Sequence, residues 1–94
     1  MNTTGNKMSE RTYTIGRKGQ IQLSDKTTSA KHAQLVVKQN HFYIIDLDST
    51  NGTYLVDGGK RHLFKEGFVE LDQTLAFGRQ ECSVRELVAR AELA

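Results

Sequence analysis

The stretch Ile45-Asp46-Leu47-Asp48-Ser49-Thr50-Asn51-Gly52-Thr53-Tyr54-Leu55-Val56 sets two apolar runs on either side of a polar segment that ends in Asn-Gly. Asn tolerates a positive φ and Gly has no Cβ to clash there, so the pair predicts a tight reversal between two strands. A turn by itself does not require four successive hydrogen-bonding side chains, and Asp48 to Asn51 supplies four. Such a cluster on a strand-to-strand loop predicts a surface that holds something polar.

The rest of the chain repeats the strand signal. Arg11–Ile15 alternates as a first strand ended by Gly16, and Ile21 and Leu23 mark a short second one. Ser24–Lys31 is a polar loop longer than a hairpin needs. Two runs, His32–Lys38 and His41–Leu47, are joined by Gln39-Asn40 and predict a hairpin. Thr53–Val56, Arg61–Phe64, Phe68–Leu71, Thr74–Phe77 and Glu81–Val84 follow, with Asp57-Gly58-Gly59 as a further turn. Many short strands and no helical period before the end predict an all-β, two-sheet sandwich. Val84, Leu87, Val88 and Ala91 then fall at helical spacing, which predicts a short helix from about Arg85 that docks on the sandwich. The organisation expected is a polar tail over 1–10, a sandwich domain over 11–87 and a helical C-terminal tail over 88–94.

With 94 residues the chain has room for one small domain. Cys82 is the only cysteine, so no internal disulfide can form and packing must hold the fold. No apolar run approaches the length of a membrane span, and Met1–Lys7 lacks the apolar segment of a signal peptide; a cytoplasmic location is expected, with no membrane partner. The net charge of +2 is too small to predict a nucleic-acid binder, but its distribution is uneven. Between Arg17 and Lys38 lie five basic residues (Arg17, Lys18, Lys26, Lys31, Lys38) against the single acid Asp25, so an anion is the natural partner of the first half. That segment contains no aromatic residue, which counts against a stacking surface for single-stranded nucleic acid.

Three stretches then gain meaning together. Gly16-Arg17 ends the first strand, Ser29-Ala30-Lys31-His32 precedes the third, and Ser49-Thr50-Asn51-Gly52-Thr53 follows the fourth. With Leu75-Ala76-Phe77-Gly78 later, their order and spacing resemble the forkhead-associated (FHA) domain family over roughly Thr12 to Leu87. The resemblance implies a sandwich that binds phosphothreonine peptides without catalysis or cofactor, downstream of a Ser/Thr kinase. It implies that Arg17, Ser29, Lys31 and Thr50 face the phosphate. Asn51 would hold the peptide main chain, and Gly16, His32, Gly52 and Thr53 would support the site. A guanidinium fork matches two phosphate oxygens and stays charged at physiological pH. Two positions depart from the family pattern. Ala30 stands where Arg or Asn is usual, and Asp72-Gln73 replaces a Gly-Asp.

Other chemistries are poorly supported. Ser29, His32 and Asp46 invite comparison with a nucleophilic triad, but no G-x-S-x-G elbow presents the serine. His32, His41, His62 and Cys82 match no zinc spacing. A phosphate-independent interaction domain on the same fold is the alternative, and Ala30 is the residue in its favour. Thr3 and Thr4 are candidate phosphoacceptors through which the chain could associate with itself.

Overall fold

The computed structural model describes residues 10–93; the proposed phosphoacceptors Thr3 and Thr4 lie outside the described residues. Among the described residues nine strands and one helix follow in order: β1 (Arg11–Gly16), β2 (Ile21–Gln22), β3 (Ala33–Lys38), β4 (His41–Asp46), β5 (Thr53–Asp57), β6 (Lys60–Leu63), β7 (Glu66–Val69), β8 (Thr74–Phe77), β9 (Gln80–Ser83) and α1 (Val84–Leu93). They form a five-stranded sheet, β2-β1-β3-β4-β7, and a four-stranded sheet, β6-β5-β8-β9. Only β1 and β2 run parallel; every other pair is antiparallel.

The alternation expected of half-buried strands places the core. Ala33 and Leu35 of β3 and Ile44 of β4 point inward from the larger sheet, to meet Leu75, Phe77 and Cys82 of the smaller one. The expected helix begins at Val84, directly after β9, and buries Val84, Leu87 and Ala91. Arg90 fixes it to the sandwich by donating from Nη1 to the Gln22 carbonyl at 2.8 Å.

The Gln39-Asn40 hairpin forms as expected, with both residues at positive φ (51° and 65°) between the paired Lys38 and His41. The Asn51-Gly52 reversal does not. β4 and β5 belong to different sheets, so residues 47–52 carry the chain across the sandwich rather than back along its neighbour. Gly52 does take a positive φ of 85°, but the crossing is shaped by Asp46. Its carboxylate accepts from the Ser49 N–H, the Ser49 hydroxyl and the Thr53 hydroxyl, at 3.1, 2.6 and 2.7 Å. Side-chain bonds of this kind give the backbone an alternative to a ladder, which the Asn-Gly signal alone cannot reveal.

Candidate functional site

Register fixes which end of the sandwich carries the site. Arg11 pairs with Val37 and Ile15 with Ala33, so β1 runs toward the start of β3 and the end of β4. At that end four loops meet: residues 17–20, 23–32, 47–52 and the Gly78-Arg79 turn. Arg17 N–H donates to the Ser29 carbonyl (3.1 Å) and Lys18 N–H to the Ala30 carbonyl (3.0 Å), which zips the first loop to the second. The approach is close enough that a Cβ on Gly16 would stand 2.3 Å from the Ala30 oxygen, so only glycine fits.

Arg17 is aimed by its own stem. Its Nε donates to the Thr28 carbonyl at 2.6 Å, while Thr28, fully buried, sends its hydroxyl to the Phe77 carbonyl at 2.8 Å. Nη1 and Nη2 have no hydrogen bond or ion pair among the described residues. Ser29 is held in a complementary way: its Oγ accepts from the Thr50 N–H at 3.1 Å, so its own O–H is left to donate. Lys31 and Thr50 are exposed.

His32, buried completely, is the brace. Its Nδ1 accepts from the Ser29 N–H at 2.9 Å, which puts the proton on Nε2, and Nε2 lies 2.9 Å from the Gly52 carbonyl as donor. Burial pushes its pKa below the ordinary value, against the opposing pull of the Gly52 bond and of Asp46, whose carboxylate stands 3.9 Å away. Burial acts on Asp46 in the raising direction, but the bonds from Ser49 and Thr53 outweigh it and hold its carboxyl below the usual value. No bond joins the Ser29 hydroxyl to His32, so the three residues do not form a proton relay. Nor does any group of three or more His, Cys, Asp or Glu among the described residues suit a metal ion.

Asn51 closes the far side. Its Nδ2 donates to the Thr27 carbonyl at 2.9 Å, Oδ1 and the second N–H have no partner among the described residues, and Tyr54 Oη donates to the Asn51 carbonyl at 3.0 Å. Gly52 gathers the loops: its carbonyl accepts from Gly78 N–H (2.9 Å) as well as from His32, and its N–H donates to Ser49 Oγ (3.0 Å). Thr53 is buried beneath it on Asp46.

Thr27, Thr28 and Tyr54 are site residues that sequence reasoning missed. Thr27 had a local signal, since its N–H and hydroxyl both bond Asp25 Oδ1 in an Asp-x-Thr turn. Thr28 had none, because its partner Phe77 lies 49 residues away. The guanidinium of Arg61 belongs to the rim as well, bonded to the Gly78 and Arg79 carbonyls with Cζ 5.7 Å from the Tyr54 ring centroid.

Fold and loops together define a β-sandwich with a donor-rich, hydrogen-bonded loop cluster at one end. The family model of the FHA domain matches residues 13–71, and the chain belongs to that family. It is 42% identical over 50 residues to the FHA domain-containing protein FhaB of Mycobacterium tuberculosis, a stretch covering 51% of this chain and 32% of that protein. The chain thus spans about a third of this relative's length. Among solved structures, it is similar to the FhaA FHA domain complexed with the intracellular domain of Rv3910 (TM-score 0.64, 25% identity, 74% of this chain and 75% of that one). It also resembles a domain solved in work on phosphothreonine-dependent FHA domain interactions (TM-score 0.66, 25% identity, 74% and 71% covered). The described helix is not long and apolar enough to cross a membrane.

Proposed function

We propose that this domain is a phosphothreonine-dependent peptide-binding module in Ser/Thr-kinase signalling, acting without catalysis. The observation that carries the proposal is the pairing of Arg17 and Ser29. Each side chain is anchored through one polar group, the two residues are joined by the Arg17 N–H to Ser29 carbonyl bond, and their remaining side-chain donors have no partner among the described residues. A guanidinium and a hydroxyl donor side by side suit a dianionic phosphate. Lys31, two residues after Ser29, would add charge, Thr50, whose N–H bonds Ser29 Oγ, a hydroxyl, and Asn51 offers a donor and an acceptor to an extended main chain. The phosphothreonine-dependent interactions of a similar domain support this reading.

Calorimetry with one peptide sequence in phosphothreonine, phosphoserine and unphosphorylated forms tests it. Binding is expected for the first, weaker for the second by about the burial of one methyl or more (roughly 1 kcal/mol), and absent for the third. Equal affinity for all three would favour a phosphate-independent domain, the reading to which Ala30 lends support.

If the tail at Thr3 or Thr4 is itself phosphorylated, we expect it to bind another molecule rather than its own site. β1 begins at the end of the sandwich opposite Arg17, so the tail must travel back along the whole strand to reach its own site.

A further inference from the structure

The sandwich has four edge strands, and three of them are guarded. β2 has only two residues, and its Gln22 carbonyl is taken by Arg90 of the docked helix. β9 runs directly into that helix. β6 presents Lys60, Arg61 and His62, charged or titratable groups that discourage pairing. β7 is different: it carries Phe68, 71% exposed, and one charge, Glu66.

The ladder shows which of its backbone groups have no strand partner among the described residues. Lys38 and His41 close a two-residue hairpin, so residues 41, 43 and 45 bond toward β3 and residues 42, 44 and 46 toward β7. The Asp46 N–H donating to the Lys65 carbonyl at 2.8 Å fits this alternation. Gly67 and Val69, opposite Ile44 and Phe42, therefore face β4, whereas the N–H and C=O groups of Glu66 and Phe68 face outward from the edge. On the outer face Phe68 continues an apolar row, packed edge-on against Tyr43 with centroids 4.8 Å apart, and Tyr43 pairs in turn with Val36.

We infer that β7 is a homodimer edge, pairing antiparallel with β7 of a second copy about a two-fold axis at Gly67. That register sets Glu66 of each copy opposite Phe68 of the other and satisfies all four outward groups on both sides. Charge selects it from its neighbours. Centring on Phe68 would place Glu66 against Glu70 of the second copy, and centring on Glu66 would oppose two glutamates, both unfavourable. Pairing β6 with itself would bring its cations together. A second copy fits because the edge is complementary to itself, as a two-fold interface requires. Arg17 directly follows β1, which lies two strands beyond β4 from this edge, so the loop site stays uncovered and the dimer presents two of them.

Sedimentation equilibrium of the unphosphorylated protein across a wide concentration range tests the inference. A reversible dimer is expected, weakened at least tenfold in Phe68→Glu, which faces Glu66 across the axis. The double variant Glu66→Lys with Phe68→Glu should restore it, because the opposed pair is then of unlike charge. Arg17→Ala should leave it unchanged, which separates this dimer from any association through a phosphorylated tail. Far-ultraviolet circular dichroism and melting confirm that each variant is folded. A monomer at all concentrations, a dimer indifferent to Phe68→Glu, or failure of the charge swap to rescue would each overturn the assignment.

Discussion

Replacing His32 by Ala separates a brace from a ligand-contacting group, and its cost can be worked from the bonds. The change deletes a fully buried ring that lies edge-on to Phe77 at 5.6 Å. It also strips the Ser29 N–H of its acceptor, whereas the Gly52 carbonyl keeps Gly78. An orphaned, partly buried N–H costs about 1–3 kcal/mol, and the lost ring about 2 kcal/mol more. A total of about 3–5 kcal/mol should lower the melting temperature of a domain this size by roughly 12 °C or more. Phosphopeptide affinity should fall as well, because Ser29 loses its anchor. The wild-type protein carries a matching pH signature. Folding holds His32 neutral with its pKa depressed, so the unfolded chain takes up the proton first. Its contribution is complete above the ordinary histidine value of about 6.5 and is lost as pH falls below it toward the depressed folded value. Urea titrations at a series of pH values should show this slope in the wild type and a weaker one in the variant. A variant that melts within a few degrees of wild type would refute the bracing role.

Other outcomes follow from the same contacts. Arg17→Ala should reduce phosphopeptide affinity by about ten- to a hundredfold per lost charge-assisted bond, with the fold unchanged, and Arg17→Lys should recover little; calorimetry decides. Asn51→Ala should weaken every phosphothreonine peptide to a similar degree, because main chain is common to all; a peptide panel checks this, and a sequence-selective loss would place Asn51 in a side-chain pocket instead. Gly16→Ala should destabilise the domain by more than about 1 kcal/mol, since its Cβ would stand 2.3 Å from a backbone oxygen; chemical denaturation reads this. Phosphorylation at Thr3 or Thr4 should produce concentration-dependent association abolished by Arg17→Ala, measurable by light scattering.

Much of the fold was legible because strand period and turn chemistry are local. Gln39-Asn40 and Asp57-Gly58-Gly59 turn where their residues say they should, and Val84, Leu87 and Ala91 pack as their spacing predicts. Strand limits near β7 were displaced, with Glu66–Val69 paired where Phe68–Leu71 was expected. Gly67 and the charged Glu66 sit on an edge, and edges tolerate residues that weaken the strand signal. The Asn51-Gly52 signal misled because the strands on either side each find other partners. For the candidate site, Arg17, Ser29, His32 and Asn51 stood out through their order along the chain and are brought to one end. Their fastenings did not stand out. The bonds from Arg17 to Thr28, Asn51 to Thr27 and Arg79 to Thr27 span 11, 24 and 52 residues, and nothing in local composition encodes them.

The Gly52 carbonyl, shared by His32 and Gly78, has a kinetic consequence. Loops fastened at such a point have little ordering left to undergo when a peptide arrives, so encounter should lead to capture without a conformational search. Association would then be set by diffusion and by the field of Arg17, Lys18 and Lys31, slowing as salt is raised. On the phosphopeptide-binding reading, differences among phosphopeptides would appear chiefly in residence time, and release would follow soon after the phosphate is removed.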